Sequence, residues 1–314
     1  MLIGSRALSA ARPALISVLI TSGAKLSGTV AHPISFCNVL FIGNFCAALL
    51  VAGWFGIGTI VSDFAKLKVQ VQAGLLINGC LATLLSALIF LGLQETSVTN
   101  AVLLGRIGPV LFAITGAVVL RKKIAPLEWV GFSLIAVGVL AIALKTSQYQ
   151  ANKGDILILL STLVFALSAL INQLMIAGNA TLPVIVFSRN FLSATVFFFL
   201  AIKFFGPHHF ADAFSANLWI LMAVYSLVVI VAAQFLWYAS LNDLDSRAVG
   251  RLTVLSPVFG VVYAFLINGE RPSSIQVTTL GLVLIGVLIA SLGKQKIDVS
   301  KTEIMAKKVE DVAT

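Results

Sequence analysis

Apolar residues in this chain arrive in long blocks, at about 13–31, 34–54, 71–92, 97–119, 126–145, 156–176, 183–205, 216–239, 247–267 and 274–292. Each block holds about 18–25 residues, enough to carry a helix across a hydrocarbon core of about 30 Å at 1.5 Å per residue. Short polar links punctuate them, among them Lys66-Leu67-Lys68 and Arg121-Lys122-Lys123. The pattern predicts an all-α membrane protein with ten transmembrane helices. Little chain remains between the blocks, which leaves no soluble catalytic domain.

Composition agrees. The chain is 59% hydrophobic and 11% charged, where a soluble domain carries about 25% charged residues, and its mean hydropathy is +1.05. The net charge of +9 does not imply a nucleic-acid partner, because membrane proteins keep Lys and Arg in cytoplasmic loops. With both termini inside, Arg6, Arg12, Lys66, Lys68, Arg121, Lys122, Lys123, Lys294 and Lys296 fall on the cytoplasmic side. Lys145, Lys153, Lys203 and Arg271 fall opposite. The predicted location is therefore the inner membrane, with both ends cytoplasmic and residues 294–314 as a polar tail. The first block is too long for a signal-peptide core and is expected to stay as the first span.

The two halves of the chain repeat one pattern. Residues 90–144 align without a gap on 238–292, so that Pro109 meets Pro257 and Gly138 meets Gly286 at an offset of 148. Further upstream, at an offset of 150, Pro33 meets Pro183 and Phe41 meets Phe191. Five spans per half is an odd number, so the second half starts from the opposite face of the membrane. Two inverted five-helix repeats, at 10–146 and 154–293, are the architecture of many secondary transporters, which bind substrate near the midplane between repeats.

The segment from Leu255 to Leu292 carries Pro257 near mid-span, Gly269-Glu270 at the span's end, a short polar link and Gly286 in a final span. It resembles the end of an EamA-type domain of the drug/metabolite transporter superfamily. Pro109 and Gly138 repeat the pattern in the first half, where Arg121-Lys122 stands in place of Gly-Glu. Arg189 matches an Arg often found near the start of the second span of such a domain, whereas Val39 occupies its first-half counterpart. The resemblance implies a ten-span transporter of small organic molecules, with export as its direction.

Polar residues inside the blocks are the candidates for chemistry. A guanidinium stays charged, and placing one at a membrane centre costs about 2.5–3.5 kcal/mol on insertion scales. Arg106 is expected about 14 Å deep, Arg189 about 10 Å deep, and Lys25 near the middle of the first span. No Asp or Glu is expected at their depth. Two readings stay open: a wet cavity whose cations receive an anionic group, or a structural role in which a cation bonds carbonyls freed at a helix break. Pro109 can make such a break, since proline removes the donor for the carbonyl of Gly105. Asn190, Gln234 and Tyr238 are candidate cavity walls, with Gln234 and Tyr238 four residues apart on one helix face. Asn78, Asn172 and Gln173 suit interhelical hydrogen bonds, and Trp237 an interfacial belt.

Glu95 and Asp243 occupy equivalent places before the fourth and ninth spans. Favourable charge at a helix N-terminus explains such acids, and a pair of gates or proton-coupling sites is the alternative. Glu270 is expected to serve as a cap partner or to pair with Arg271. Pro109, Pro257, Gly138 and Gly286 are assigned to structure.

Signatures of catalysis are missing: the chain has no GxSxG, HExxH or Walker loop, and His32, His208 and His209 lack metal spacing. Cys37, Cys46 and Cys80 lie in apolar blocks and suggest neither disulfides nor zinc. No enzyme activity, metal or cofactor is expected. The function expected is secondary transport, by alternating access, of a small metabolite such as an amino acid or organic anion. The alternative is a non-transporting scaffold or accessory subunit. Expected partners are the small-molecule substrate and the lipid bilayer; a homodimer stays open, and nucleic acid is not expected.

Overall fold

A computed structural model describes residues 2–26, 36–119, 124–145, 152–206, 216–236 and 255–293. Among the described residues every regular element is helical. In chain order these are α1 (Leu2–Ala10), α2 (Arg12–Leu26), α3 (Phe36–Phe55), α4 (Ile57–Ala65), α5 (Val69–Glu95), α6 (Val98–Leu104), α7 (Ile107–Val119), α8 (Pro126–Lys145), α9 (Lys153–Ala177), α10 (Leu182–Phe205), α11 (Ala216–Tyr225), α12 (Ser256–Asn268) and α13 (Ser274–Gly293). A π-helical stretch, Ser226–Ala232, continues α11.

Nine helical segments among the described residues are long and apolar enough to cross a membrane. The first is Ile3–Thr21, which joins α1 to α2, and the fourth is Val98–Val119, which joins α6 to α7. α12 is shorter, and it follows residues 237–254, which lie outside the described set. Side chains such as Trp54, Val118, Phe199 and Phe204 are more than 60% exposed. An apolar exterior of this kind is disfavoured in water and suits contact with lipid.

The first span differs from its expected bounds of 13–31. The helix starts at Leu2, so Arg6 and Arg12 lie inside the span rather than in a cytoplasmic link. Lys25 moves the other way: it is the penultimate residue of α2, at the span's end and not near its middle. The reason is local. Arg12-Pro13 looks like a boundary because proline suits a helix's first turn. Here it opens α2 in mid-membrane, directly after the turn residue Ala11.

Two further spans are interrupted. Between α6 and α7 the Arg106 N–H bonds the Leu103 carbonyl at 3.1 Å, and the Gly108 N–H bonds that of Gly105 at 3.2 Å. The missing donor of Pro109 is thus replaced by a tighter turn, and proline sits in the first turn of α7, where it costs little. α12 has the same length as α7, and Pro257 sits in its first turn. The eighth span widens into its π-helical turns directly after Tyr225.

Packing joins matching spans of the two halves: α3 lies against α10, α6 against α12, and α8 against α13. The last pair is closest. A Cβ on Gly131 would stand 2.4 Å from the Gly286 carbonyl oxygen, and one on Gly286 2.7 Å from that of Gly131. One register along, Thr279 Oγ1 donates to the Gly138 carbonyl at 3.2 Å. The offset of 148 converts the contact of 131 with 286 into that of 279 with 138, so one contact occurs twice. α5 and α9 are joined by polar groups as well: Asn78 Nδ2 donates to Asn172 Oδ1 at 2.8 Å, and Ser168 Oγ to Asn78 Oδ1 at 2.7 Å. Such bonds average about 0.6 kcal/mol in membranes, so they set register more than stability.

Candidate functional site

Charged and interrupted segments meet inside the bundle. Arg12 lies at the centre of the span Ile3–Thr21, where the turn at Ala11 sets it at the start of α2. It lies beside the side chain of Tyr225, the last α-helical residue before the π-helical turns. Its Nε is buried without a hydrogen-bond partner. A pocket opens beside it between the first, second and eighth spans, lined by Arg12, Leu19, Leu40, Asn44, Met222 and Tyr225 among others. Its volume is about 20 Å³, room for about one water.

Arg106 stands at the break of the fourth span. Its Nε donates to the Val102 carbonyl at 3.1 Å and its Nη1 to Ser256 Oγ at 3.4 Å, beside Pro257. The guanidinium therefore serves the carbonyl that its own backbone N–H leaves in turning to Leu103. Arg6 lies near enough to repel it electrostatically. Arg6 in turn donates to Ser5 Oγ at 3.3 Å, and Ser5 Oγ donates to the Ala233 carbonyl at 2.7 Å. Neither Arg12 nor Arg106 meets a carboxylate among the described residues.

The other expected wall residues do not converge on one chamber. Arg189 is half-buried on α10. Asn190 Nδ2 donates to the Val186 carbonyl of its own helix at 2.7 Å. Gln234 Oε1 is buried without a partner. Tyr238 and Asp243 lie outside the described residues, as do Arg121, Lys122 and the side chain of Lys25.

Glu95 is the last residue of α5, exposed, and does not bond the first N–H groups of α6. Glu270 does. Its Oε1 accepts the Val98 N–H at 2.7 Å; its Oε2 accepts the Thr99 N–H at 2.8 Å and the Thr99 hydroxyl at 2.7 Å. Ser97 Oγ takes the Asn100 N–H at 3.1 Å. The first three unpaired N–H groups of α6 are thus all satisfied, and a negative charge sits at the positive end of the helix. Gly269 makes this reach available. With φ +69 it caps α12 in the left-handed region, while the Glu270 N–H bonds the Ala264 carbonyl at 3.1 Å. Arg271 makes no ion pair with Glu270.

The same end of the bundle gathers further polar groups. Thr96 Oγ1 donates to Asp155 Oδ1 at 2.5 Å, Gln276 Nε2 to Asn100 Oδ1 at 2.7 Å, and Asn152 Nδ2 to the Glu95 carbonyl at 3.2 Å. Sequence reasoning missed Asp155, which is 3% exposed. Its only signal was an acid just before an apolar block, in Lys-Gly-Asp-Ile. Arg12 was also missed, and the Arg-Pro pair was its signal.

Nine membrane-length helices among the described residues, arranged so that matching spans of two halves pack together, define an integral multi-pass membrane protein. Its helices are broken next to half-buried arginines. The chain belongs to the EamA-like transporter family, whose pattern matches residues 7–144 and again 152–292. It is 27% identical to an uncharacterized transporter of Synechocystis over 92% of this chain and 84% of that one. It is also 27% identical to the uncharacterized transporter YetK of Bacillus subtilis, over 68% of this chain and 66% of that one. A solved crystal structure superposes with a TM-score of 0.55 over 93% of this chain and 96% of that one, at 16% identity. That likeness concerns the fold alone.

Proposed function

We propose that this membrane transporter moves a small organic metabolite with an anionic group, such as an amino acid or organic acid, and that it works by alternating access. The carrying observation is the pair Arg12 and Arg106, two guanidiniums inside the bundle without acid partners among the described residues, each at a helix interruption. Intramembrane charges of this kind mark substrate or ion pathways, and broken helices at the repeat interface are where transporters hold substrate. Arg189 adds positive charge on α10, and Gln234 offers an unpaired carbonyl oxygen.

Ten spans in two inverted repeats form the frame of this mechanism. Hydrogen bonds gather the end of α5, the starts of α6 and α9, the end of α12 and the start of α13 at one face. That grouping fits a ten-span path of the chain. Rocking of one half against the other would expose the Arg12 pocket to either side in turn, and efflux is the proposed direction. The test is flux by purified protein in liposomes against amino acids, organic acids and phosphorylated metabolites. Saturable counterflow of an anionic or zwitterionic member is expected; no flux of any member would favour the scaffold instead.

A further inference from the structure

From the transporter reading and the surroundings of Arg12, we infer that the pocket between the first, second and eighth spans is the seat of a carboxylate on a monoanionic and otherwise apolar molecule. Arg12 presents a buried Nε with no partner. An unsatisfied buried donor is costly, and more so on a cation. The side chain lines the pocket, and no carboxylate among the described residues pairs with it. A carboxylate accepts two parallel bonds from a guanidinium edge, a geometry that lysine lacks.

The remaining walls set the class of ligand. Tyr225 shares the wall with Arg12 and sets a hydroxyl beside the guanidinium. Asn44 gives its Nδ2 to the Leu40 carbonyl at 2.6 Å, which leaves its Oδ1 free to accept from an amine or hydroxyl. Leu19, Leu40 and Met222 offer only apolar surface. One cation balances one negative charge; a phosphate dianion would leave charge uncompensated against those walls.

The pocket floor is also built. Ser226 Oγ donates to the Gly43 carbonyl at 2.7 Å, and a Cβ on Gly43 would strike the Met222 methyl at 2.6 Å. The second and eighth spans therefore approach closely below Arg12. The π-helical turns begin at this contact, and such turns recur at functional sites. With room for about one water, the pocket must widen to admit the ligand, and the carboxylate and its apolar part enter as the spans part.

The test uses full-length purified protein in detergent with sodium 4-methylpentanoate as probe and 4-methylpentanamide as its neutral control. The acid should raise the melting temperature saturably and the amide should not. Arg12→Gln should fold and weaken half-saturation at least tenfold, while Arg12→Lys should keep weak binding. Asn44→Asp supplies an internal carboxylate, so it should melt higher than the parent and lose the response to the acid. Equal responses to acid and amide would overturn the inference, and so would unchanged binding in Asn44→Asp or in folded Arg12→Gln. Liposome flux separates the two readings. Binding without flux in the parent protein would sink the transporter and leave the site, whereas parent-like flux in both variants would sink the site and leave the transporter.

Discussion

At the scale of single residues, Glu270 carries more of the architecture than any other acid described. Its backbone N–H closes the end of α12 and its carboxylate starts α6, linking the two halves through three side-chain hydrogen bonds. Hydrogen bonds to charged groups contribute about 1.5–3 kcal/mol, so Glu270→Gln, which keeps one acceptor, should lower stability by roughly 1–2 kcal/mol. Glu270→Ala should cost more than Glu270→Gln; the order of their melting temperatures in detergent checks this. Arg271→Gln should leave melting unchanged. Arg106 is the converse case. Arg106→Leu gives up bonds to Val102 and Ser256 but removes a buried charge, so the protein should melt near its parent value while flux of an anionic substrate collapses. Normal flux in that variant would reduce Arg106 to a brace for the broken helix. The sequence made Arg106 visible because it stands alone in an apolar run. It hid Arg12, because a cation beside a proline at a block's edge looks the same as a flanking loop.

Elements follow a rule that hydropathy expresses well and breaks poorly. The bounds of α8, α10 and α13 lie within a residue or two of their apolar blocks, since only length and apolarity decide where such a helix can lie. The interruptions at Ala11 and Gly105–Arg106 were legible only as prolines. Pro109 placed a break correctly in the fourth span, yet the gap falls upstream of it because proline is tolerated in a first helical turn. α4 escaped notice altogether, being too short to span. Glycine at close crossings gives this scale its prediction. Gly131→Ala would drive a methyl into the Gly286 carbonyl and the Ala290 amide, and overpacking of this kind costs about 1–3 kcal/mol. Gly281, on the same helix pair, has nothing within 4 Å of its Cβ position, so Gly281→Ala should be neutral or slightly stabilising. Melting curves of the two variants distinguish a specific crossing from a general need for glycine.

For the whole molecule, the repeat visible in Pro109 and Pro257 reappears as contact: residues 131 and 286 meet as 279 and 138 do. A sequence alignment cannot reveal that matching spans touch, because pairing across halves depends on how the chain closes. The loss of Arg6 and Arg12 from the cytoplasmic links narrows the charge asymmetry but keeps its direction, through Lys66, Lys68 and Arg121–Lys123. Reporter fusions should therefore place both termini and the 66–68 link in the cytoplasm, and the 269–273 link outside. An external C-terminus would remove the ten-span frame. Alternating access makes the sharpest demand of all, that one residue in the Arg12 pocket meets water from each side in turn. Asn44→Cys, in a chain with Cys37, Cys46 and Cys80 replaced, should react with an impermeant thiol reagent in both right-side-out and inside-out vesicles. A transported substrate should slow both reactions. Reaction from neither side, or from one side only whatever substrate is present, would contradict a transporter that turns its centre between two faces of the membrane.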